Sequence, residues 1–193
     1  MSDQNRHDTP SGRPMGGIGS NQYTVRGVPK RKAQRRAPNP FPNLSILGHD
    51  ALFGQLTAPR CDEEVFDAIA NLGEVPHDVV IRMAGHIDCP PDILRGLGGY
   101  NDYRIKEAVA NNLRCPLTML RQLTGDRSER VRLAAASNPN CPVDAIVRLL
   151  RDDDSNVREH AAQQLADNVG MYTPDETKMF SDASPEYRAA LGK

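Results

Sequence analysis

The fold is decided by three consecutive stretches, CPPDILRGLGGYNDYRIKEAVANNLR (89–114), CPLTMLRQLTGDRSERVRLAAASNPN (115–140) and CPVDAIVRLLRDDDSNVREHAAQQLA (141–166). Each begins with Cys-Pro, and with the Cys as position 1, apolar residues recur at positions 6, 9 and 17 and Ala at position 22. These apolar residues are Leu94, Leu120 and Ile146, then Leu97, Leu123 and Leu149, then Ile105, Val131 and Val157. A fixed period of this length is typical of proteins whose units bury their apolar faces against their neighbours. The sequence therefore predicts an array of equal units, clearest over residues 89–164.

The spacing within a unit predicts two short helices. The Pro at position 2 can begin the first helix, because a fixed φ and a missing N–H are tolerated in the first turn. Positions 6 and 9 are three residues apart and share one face, as do positions 17 and 20 of the second helix. The predicted fold class is therefore all-α, an α-solenoid of short helix pairs.

The rest of the chain differs in composition. Residues 1–43 are rich in Gly, Pro, Asn, Ser and Arg without a sustained hydrophobic period, which predicts a disordered basic arm. Residues 44–168 are predicted to form the helical repeat solenoid, with a degenerate half repeat at 51–61 and two extra residues near 72–77. Residues 169–193 are predicted to be a C-terminal cap or tail, with short helices opened by Thr173 and Ser184.

Charge is distributed unevenly along the chain. Residues 1–60 contain nine Lys or Arg against three Asp, a net charge of +6, while residues 61–193 carry a net −7. A basic arm on an acidic body suggests a segment that seeks a polyanion or folds over its own acidic surface. No apolar run reaches the length of about 18 residues that a membrane helix needs, so we expect a soluble, cytoplasmic protein.

One unit carries a recognisable pattern in Val131-Arg132, Ala136-x-Asn138-Pro139 and Cys141-Pro142, followed by Ile146 and Leu149. It resembles the leucine-rich repeat variant family, whose units run Val-Arg, Ala-x-Asn-Pro, x-Pro and spaced leucines. The resemblance is best over residues 103–164 and weaker back to residue 44. It implies a right-handed superhelix of alternating α- and 3₁₀-helices, akin to HEAT-type arrays, with no shared catalytic residues. Asn112-Leu113 and His86-Ile87 depart from Asn-Pro, which leaves the turn geometry of those units open.

Two groups of cations are candidate contacts for nucleic acid or another partner. One lies in the arm, and the other consists of one Lys or Arg per unit at position 18, reinforced by Arg at position 16. The residues are Lys30, Arg31, Lys32, Arg35 and Arg36 in the arm, and Arg104, Lys106, Arg130, Arg132 and Arg158 in the units. The position-18 cations have a second interpretation. They could form ion pairs with an Asp of the adjacent unit, and we favour this interpretation. Asp102, Asp126 and the run 152–154 could supply that Asp.

The four cysteines are interpreted as buried reduced thiols. Three of them occupy one position of successive units, and packed helices lie about 8 to 10 Å apart, whereas a thiolate lies about 2.3 Å from zinc. The chain also contains no Cys-x-x-Cys pair. No cofactor is therefore expected.

These observations favour a non-enzymatic repeat scaffold that binds a macromolecule, with the basic arm attracting nucleic acid or a nucleoprotein. Two alternatives stay open, a protein–protein adaptor without nucleic-acid contact and a cysteine-based metalloprotein. No small-molecule substrate is indicated.

Overall fold

The computed structural model describes residues 22–23, 49–72 and 75–192. They form eleven α-helices, one 3₁₀ helix at Val169–Met171 and one antiparallel pairing of two-residue strands. The helices are α1 His49–Gln55, α2 Glu63–Ala70, α3 His77–Gly85, α4 Pro91–Leu97, α5 Tyr103–Asn111, α6 Leu117–Leu123, α7 Glu129–Ser137, α8 Val143–Leu149, α9 Ser155–Asp167, α10 Pro174–Ala183 and α11 Pro185–Leu191. The strands are β1 Gln22–Tyr23 and β2 Val75–Pro76. The described part is thus helical, as predicted, apart from this one pairing.

The first helix of each unit (the A helices α4, α6 and α8) spans seven residues. Pro90, Pro116 and Pro142 stand at the N-cap with φ of −62°, −60° and −61°. Their carbonyls accept hydrogen bonds from the N–H groups four residues later, at 3.0 Å in each unit. These i+4 bonds make the A helices α-helical, so both helices of each unit are α-helices, whereas the family resemblance implies alternating α- and 3₁₀-helices.

The second helix of each unit (the B helices α5, α7 and α9) starts at a polar N-cap. Asp102 accepts from the Arg104 N–H, and Asp154 accepts from the N–H groups of Asn156 and Val157 at 2.8 and 3.1 Å. Such side-chain caps satisfy N–H groups that have no partner inside the helix. Asp154 thereby caps the second helix of the last unit.

The core runs without interruption along the array. The B helices contact one another in series, with α3 before them and α11 after them, and the A helices contact the B helices beside them. Every residue at positions 6, 9, 17 and 22 of the three units is at most 3% exposed. The Ala at position 22 is fully buried in each unit, and its small side chain lets successive B helices pack closely. The right-handed sense and the likeness to HEAT arrays stay predictions.

The N-terminal end contains a feature that the sequence analysis missed. Gln22 pairs with Pro76 and Tyr23 with Val75, so two residues from the stretch predicted as disordered form a strand. The pairing falls beside the two-residue insertion, whose Gly73 and Glu74 lie outside the described residues. A two-residue strand has too few side chains to show a period, so only the tertiary contact reveals it.

The C-terminal helices pack against the last unit. Thr173 and Glu176 form the predicted capping box at the start of α10, and Ser184 caps α11. Phe180 and Tyr187 are 2% and 0% exposed, and their rings meet edge to face with centroids 5.8 Å apart. Since α11 contacts α9, this segment covers the end of the core, as a cap does.

Candidate partner-binding surfaces

The position-18 cations form ion pairs with the unit that follows. Lys106 Nζ lies 2.6 Å from Asp126 Oδ2, and Arg132 Nε lies 2.7 Å from Asp152 Oδ2. The last cation, Arg158, reaches Glu186 of α11 at 2.9 Å. The guanidinium of Arg132 also donates to the carbonyls of residues 126 and 127. One side chain therefore connects the loop before α7 to the loop that contains Asp152 in the following unit.

The ion pair between Arg132 and Asp152 is largely buried. The side chains of Arg132 and Asp152 are 16% and 7% exposed. Burial opposes ionisation of Asp152, but the hydrogen bonds from Arg132 and from the Asp154 N–H outweigh it and hold the pKa of that carboxyl below its ordinary value. The same bond raises the pKa of the Arg132 guanidinium. This geometry agrees with the ion-pair interpretation and leaves the row few donors for an external phosphate.

A second row of polar side chains was missed from the sequence. Asn138, at position 24, donates from Nδ2 to the carbonyls of Ala110 at 2.6 Å and Asn112 at 3.1 Å in the preceding unit. Asn112 does the same with Ala84 and His86 at 2.7 and 2.8 Å. The carbonyls at a helix C-terminus have no partner inside the helix, so each unit caps the B helix before it. The sequence does contain a sign of this row, because position 24 is polar in every unit: Asn112, Asn138 and Gln164.

This row settles the turn geometry that the departures from Asn-Pro left open. His86, Asn112 and Asn138 share an extended backbone with ψ between 120° and 134°, and each carbonyl accepts from the Cys N–H three residues later. The His86 ring follows the same scheme, because Nδ1 accepts from the Asp88 N–H and Nε2 donates to the Ala58 carbonyl. This assigns the neutral Nε2–H tautomer. The turn therefore does not need proline.

The position-16 arginines are exposed and flank an aromatic ring. The guanidinium carbons of Arg104 and Arg130 lie 5.9 and 5.6 Å from the ring centroid of Tyr103, which is 44% exposed. Arg130 also contacts Glu107 at 3.2 Å. Of the cations predicted as contacts in the units, these two are the most accessible.

The structure does not test the predicted contacts in the basic arm. Lys30, Arg31, Lys32, Arg35 and Arg36 lie outside the described residues. Their role stays a prediction.

The thiols have the environment of core side chains. Burial raises the pKa of Cys115 and Cys141 to about 12 and that of Cys89 further, which opposes the thiolate form that binds metals. Cys61 is half-buried and its pKa is raised by burial and by Asp62. Among the described residues, no group of three or more His, Cys, Asp or Glu could hold a metal ion.

One edge of the array exposes apolar side chains. Ile87 and Leu113, which follow the position-24 residue, are 56% and 55% exposed. Leu117 and Val143, at the start of two A helices, are 53% and 40% exposed. We call these four residues the apolar edge. Ile87 and Leu113 occupy equivalent places in successive units, as do Leu117 and Val143, and a set of exposed apolar side chains is typical of a protein-binding surface.

The opposite ends of the A helices line a polar cleft of about 390 Å³. We call it the arginine cleft; its charged lining residues are Arg121, Arg132, Arg148, Arg151, Asp152 and Asp153. Arg121 is held by Asp144 of α8 at 3.0 Å, and Arg132 by Asp152. Arg148 and Arg151 are exposed, and neither has a salt bridge or side-chain hydrogen bond to another described residue.

These observations define a class of protein, an all-helical repeat protein whose recurring polar residues join one unit to the next. The comparison with known families agrees, because the model of the leucine rich repeat variant family matches residues 129–154. The resemblance inferred from the sequence is thereby confirmed over 26 residues, from the second half of one unit to the first half of the next. No curated protein and no solved structure is significantly similar to the chain. Along the described residues, no helix is both long and apolar enough to cross a membrane.

Proposed function

We propose that this chain is a non-enzymatic scaffold that binds a partner protein on the surface of its helical array. The observation that carries the proposal is the apolar edge, where Leu113 and Leu117 stay more than half exposed beside a fully formed core. Burying such side chains at an interface contributes roughly 25 cal/mol for each Å² of apolar surface. The match to a repeat family supports the same conclusion.

The distribution of polar groups supports binding over catalysis. The recurring polar side chains at positions 18 and 24 are engaged in contacts between units. The one exposed histidine on α9, His160, bonds the carbonyl of Asn156 on its own helix. A general base needs a substrate site within hydrogen-bond reach, and His160 is not among the residues that line the arginine cleft.

Site-specific photo-crosslinking tests the proposal. A benzophenone side chain at position 113 or 117 should give a discrete crosslinked protein in the native cells, while the same group at Ser137, an exposed site on α7, should not. Replacement of Leu113 and Leu117 by Asp should abolish capture by a crosslinker placed at position 143 and leave the melting temperature within a few degrees. Equal products at all positions, or none, would refute a specific protein site on this edge.

A second candidate function is binding to single-stranded nucleic acid. It is favoured by the exposed ring of Tyr103 between two guanidiniums, since bases stack on such platforms with contributions of about 1–3 kcal/mol per base. The arm cations would add salt-dependent attraction. Fluorescence anisotropy with a labelled oligonucleotide should then show weaker binding for Tyr103→Ala and for a chain lacking residues 1–43; unchanged binding in both would exclude this route.

A further inference from the structure

The arginine cleft is lined by four arginines and two aspartates, and two of the arginines have no salt bridge to another described residue. Its two walls are fixed, because Arg121 makes three hydrogen bonds to Asp144 at 3.0–3.3 Å and Arg132 makes two to Asp152. Arg148 and Arg151 stand between these walls at the end of α8, without such partners among the described residues. The cleft therefore offers two exposed guanidiniums to a ligand.

These two arginines do not belong to the repeat pattern. At position 8 the three units carry Gly96, Gln122 and Arg148, and at position 11 they carry Gly99, Gly125 and Arg151. The ion pairs between units use position 18 and are complete without them. Among the described residues, neither arginine has a salt bridge or side-chain hydrogen bond that would assign it a role in folding, and Arg151 also borders a second pocket with Asp175 and Asp182 of α10.

We propose that the arginine cleft binds a carboxylate-rich segment of a partner protein. This inference rests on the proposed function and names a second contact of the same scaffold. Guanidinium and carboxylate groups match as planar forks that form two parallel hydrogen bonds. Asp152 and Asp153 line the same cleft as Arg148 and Arg151, so the attractive surface is small, which suits a few carboxylates and disfavours a continuous phosphate backbone.

The binding measurement uses the full-length chain with the five arm cations, Lys30, Arg31, Lys32, Arg35 and Arg36, replaced by Gln. This background prevents the arm from capturing the probe. The probe is a fluorescein-labelled octaglutamate peptide, with octaglutamine and an octathymidylate strand as comparisons, followed by fluorescence anisotropy at about 50 mM salt. The double variant Arg148→Gln/Arg151→Gln removes the proposed contact, and Arg82→Gln/Arg95→Gln removes the same charge from exposed pairs on α3 and α4.

Octaglutamate should bind, and Arg148→Gln/Arg151→Gln should weaken it about tenfold, as expected for two charge-assisted contacts. The control double variant should change the affinity less than about twofold, and octaglutamine should not bind. Equal loss in both double variants, or no binding of octaglutamate, would overturn the proposal. Tighter binding of octathymidylate that depends on Arg148 and Arg151 would overturn it in favour of a phosphate ligand.

The proposal for the apolar edge and the proposal for the arginine cleft can be refuted independently of each other. Crosslinking at the apolar edge does not involve the cleft, so its products persist in Arg148→Gln/Arg151→Gln if only the cleft proposal is wrong. Circular dichroism of each variant checks that the helices are intact. A loss of helical signal in Arg148→Gln/Arg151→Gln would itself contradict the claim that these exposed arginines have no role in folding.

Discussion

Replacing Asn138 by Ala tests whether the position-24 row joins the units. The side chain is part of a residue only 2% exposed, and it makes three hydrogen bonds: two from Nδ2 to carbonyls of the preceding unit and one to Oδ1 from the Asn140 N–H at 2.9 Å. Each is worth about 1 kcal/mol net. The variant should therefore lose about 3 kcal/mol of unfolding free energy.

Urea denaturation followed by circular dichroism measures this loss. With a slope of about 2 kcal/mol per molar urea, the midpoint should fall by about 1.5 M. A lower slope would indicate that the array no longer unfolds as one unit, because the broken contact lies between repeats.

The matched control is Asn140→Ala, which removes one exposed hydrogen bond, to the Leu113 carbonyl at 2.8 Å. It should lose no more than about 1 kcal/mol. Asn138→Asp tests the same contact by pH. A carboxylate facing two carbonyls should destabilise the fold, and the variant should regain stability at low pH, where the protonated acid can donate a hydrogen bond. Equal midpoints for the two alanine variants would refute the proposed role of the row.

Three further predictions concern the ion pairs and the thiols. Arg132→Met should lose about 2–3 kcal/mol by leaving a buried carboxylate unpaired, while Arg82→Met, which breaks an exposed pair within α3, should lose less than about 1 kcal/mol; similar melting temperatures would contradict this. Because the pKa of Asp152 is lowered in the folded state, its contribution to stability is complete above about pH 4 and lost as the pH falls through the lowered pKa; urea midpoints that stay flat between pH 5 and 3 would count against it. Iodoacetamide at pH 8 should modify the half-buried Cys61 about ten times faster than the buried Cys141, and mass spectrometry of the peptides would reveal an inverted order.

The sequence predicted the parts of the fold that depend on repetition. Leu120 and Leu123 share a face because they are three residues apart, and both are buried as that spacing requires. The prolines at position 2, the cap at Asp154 and the capping box at Thr173 were also predictable, because each acts within one turn of the chain. Local rules suffice where the partner lies only a few residues away.

The contacts that escaped prediction join residues of different units. Asn138 bonds a carbonyl 28 residues earlier, and Tyr23 pairs with Val75 across 52 residues. A polar residue at a turn satisfies either a local Asx turn or a distant carbonyl, and one sequence does not separate the two. Asn138 does both, since Oδ1 serves the turn and Nδ2 the neighbouring unit.

Residues that stabilise a repeat array differ from residues that bind its partners in how regularly they recur. Residues that recur at a fixed position, such as Arg132 and Asn138, face identical surroundings in each unit, so their recurrence reflects the contact between units. A partner of finite size meets only a few units, and its recognition falls on exposed side chains such as the apolar edge and on residues that differ between units. Arg148 and Arg151 meet this condition, and so does Tyr103, which is replaced by Glu129 one unit later. Lys106, Arg132 and Arg158 recur because each forms an ion pair with the next part of the array, so their periodicity indicates a role in the fold.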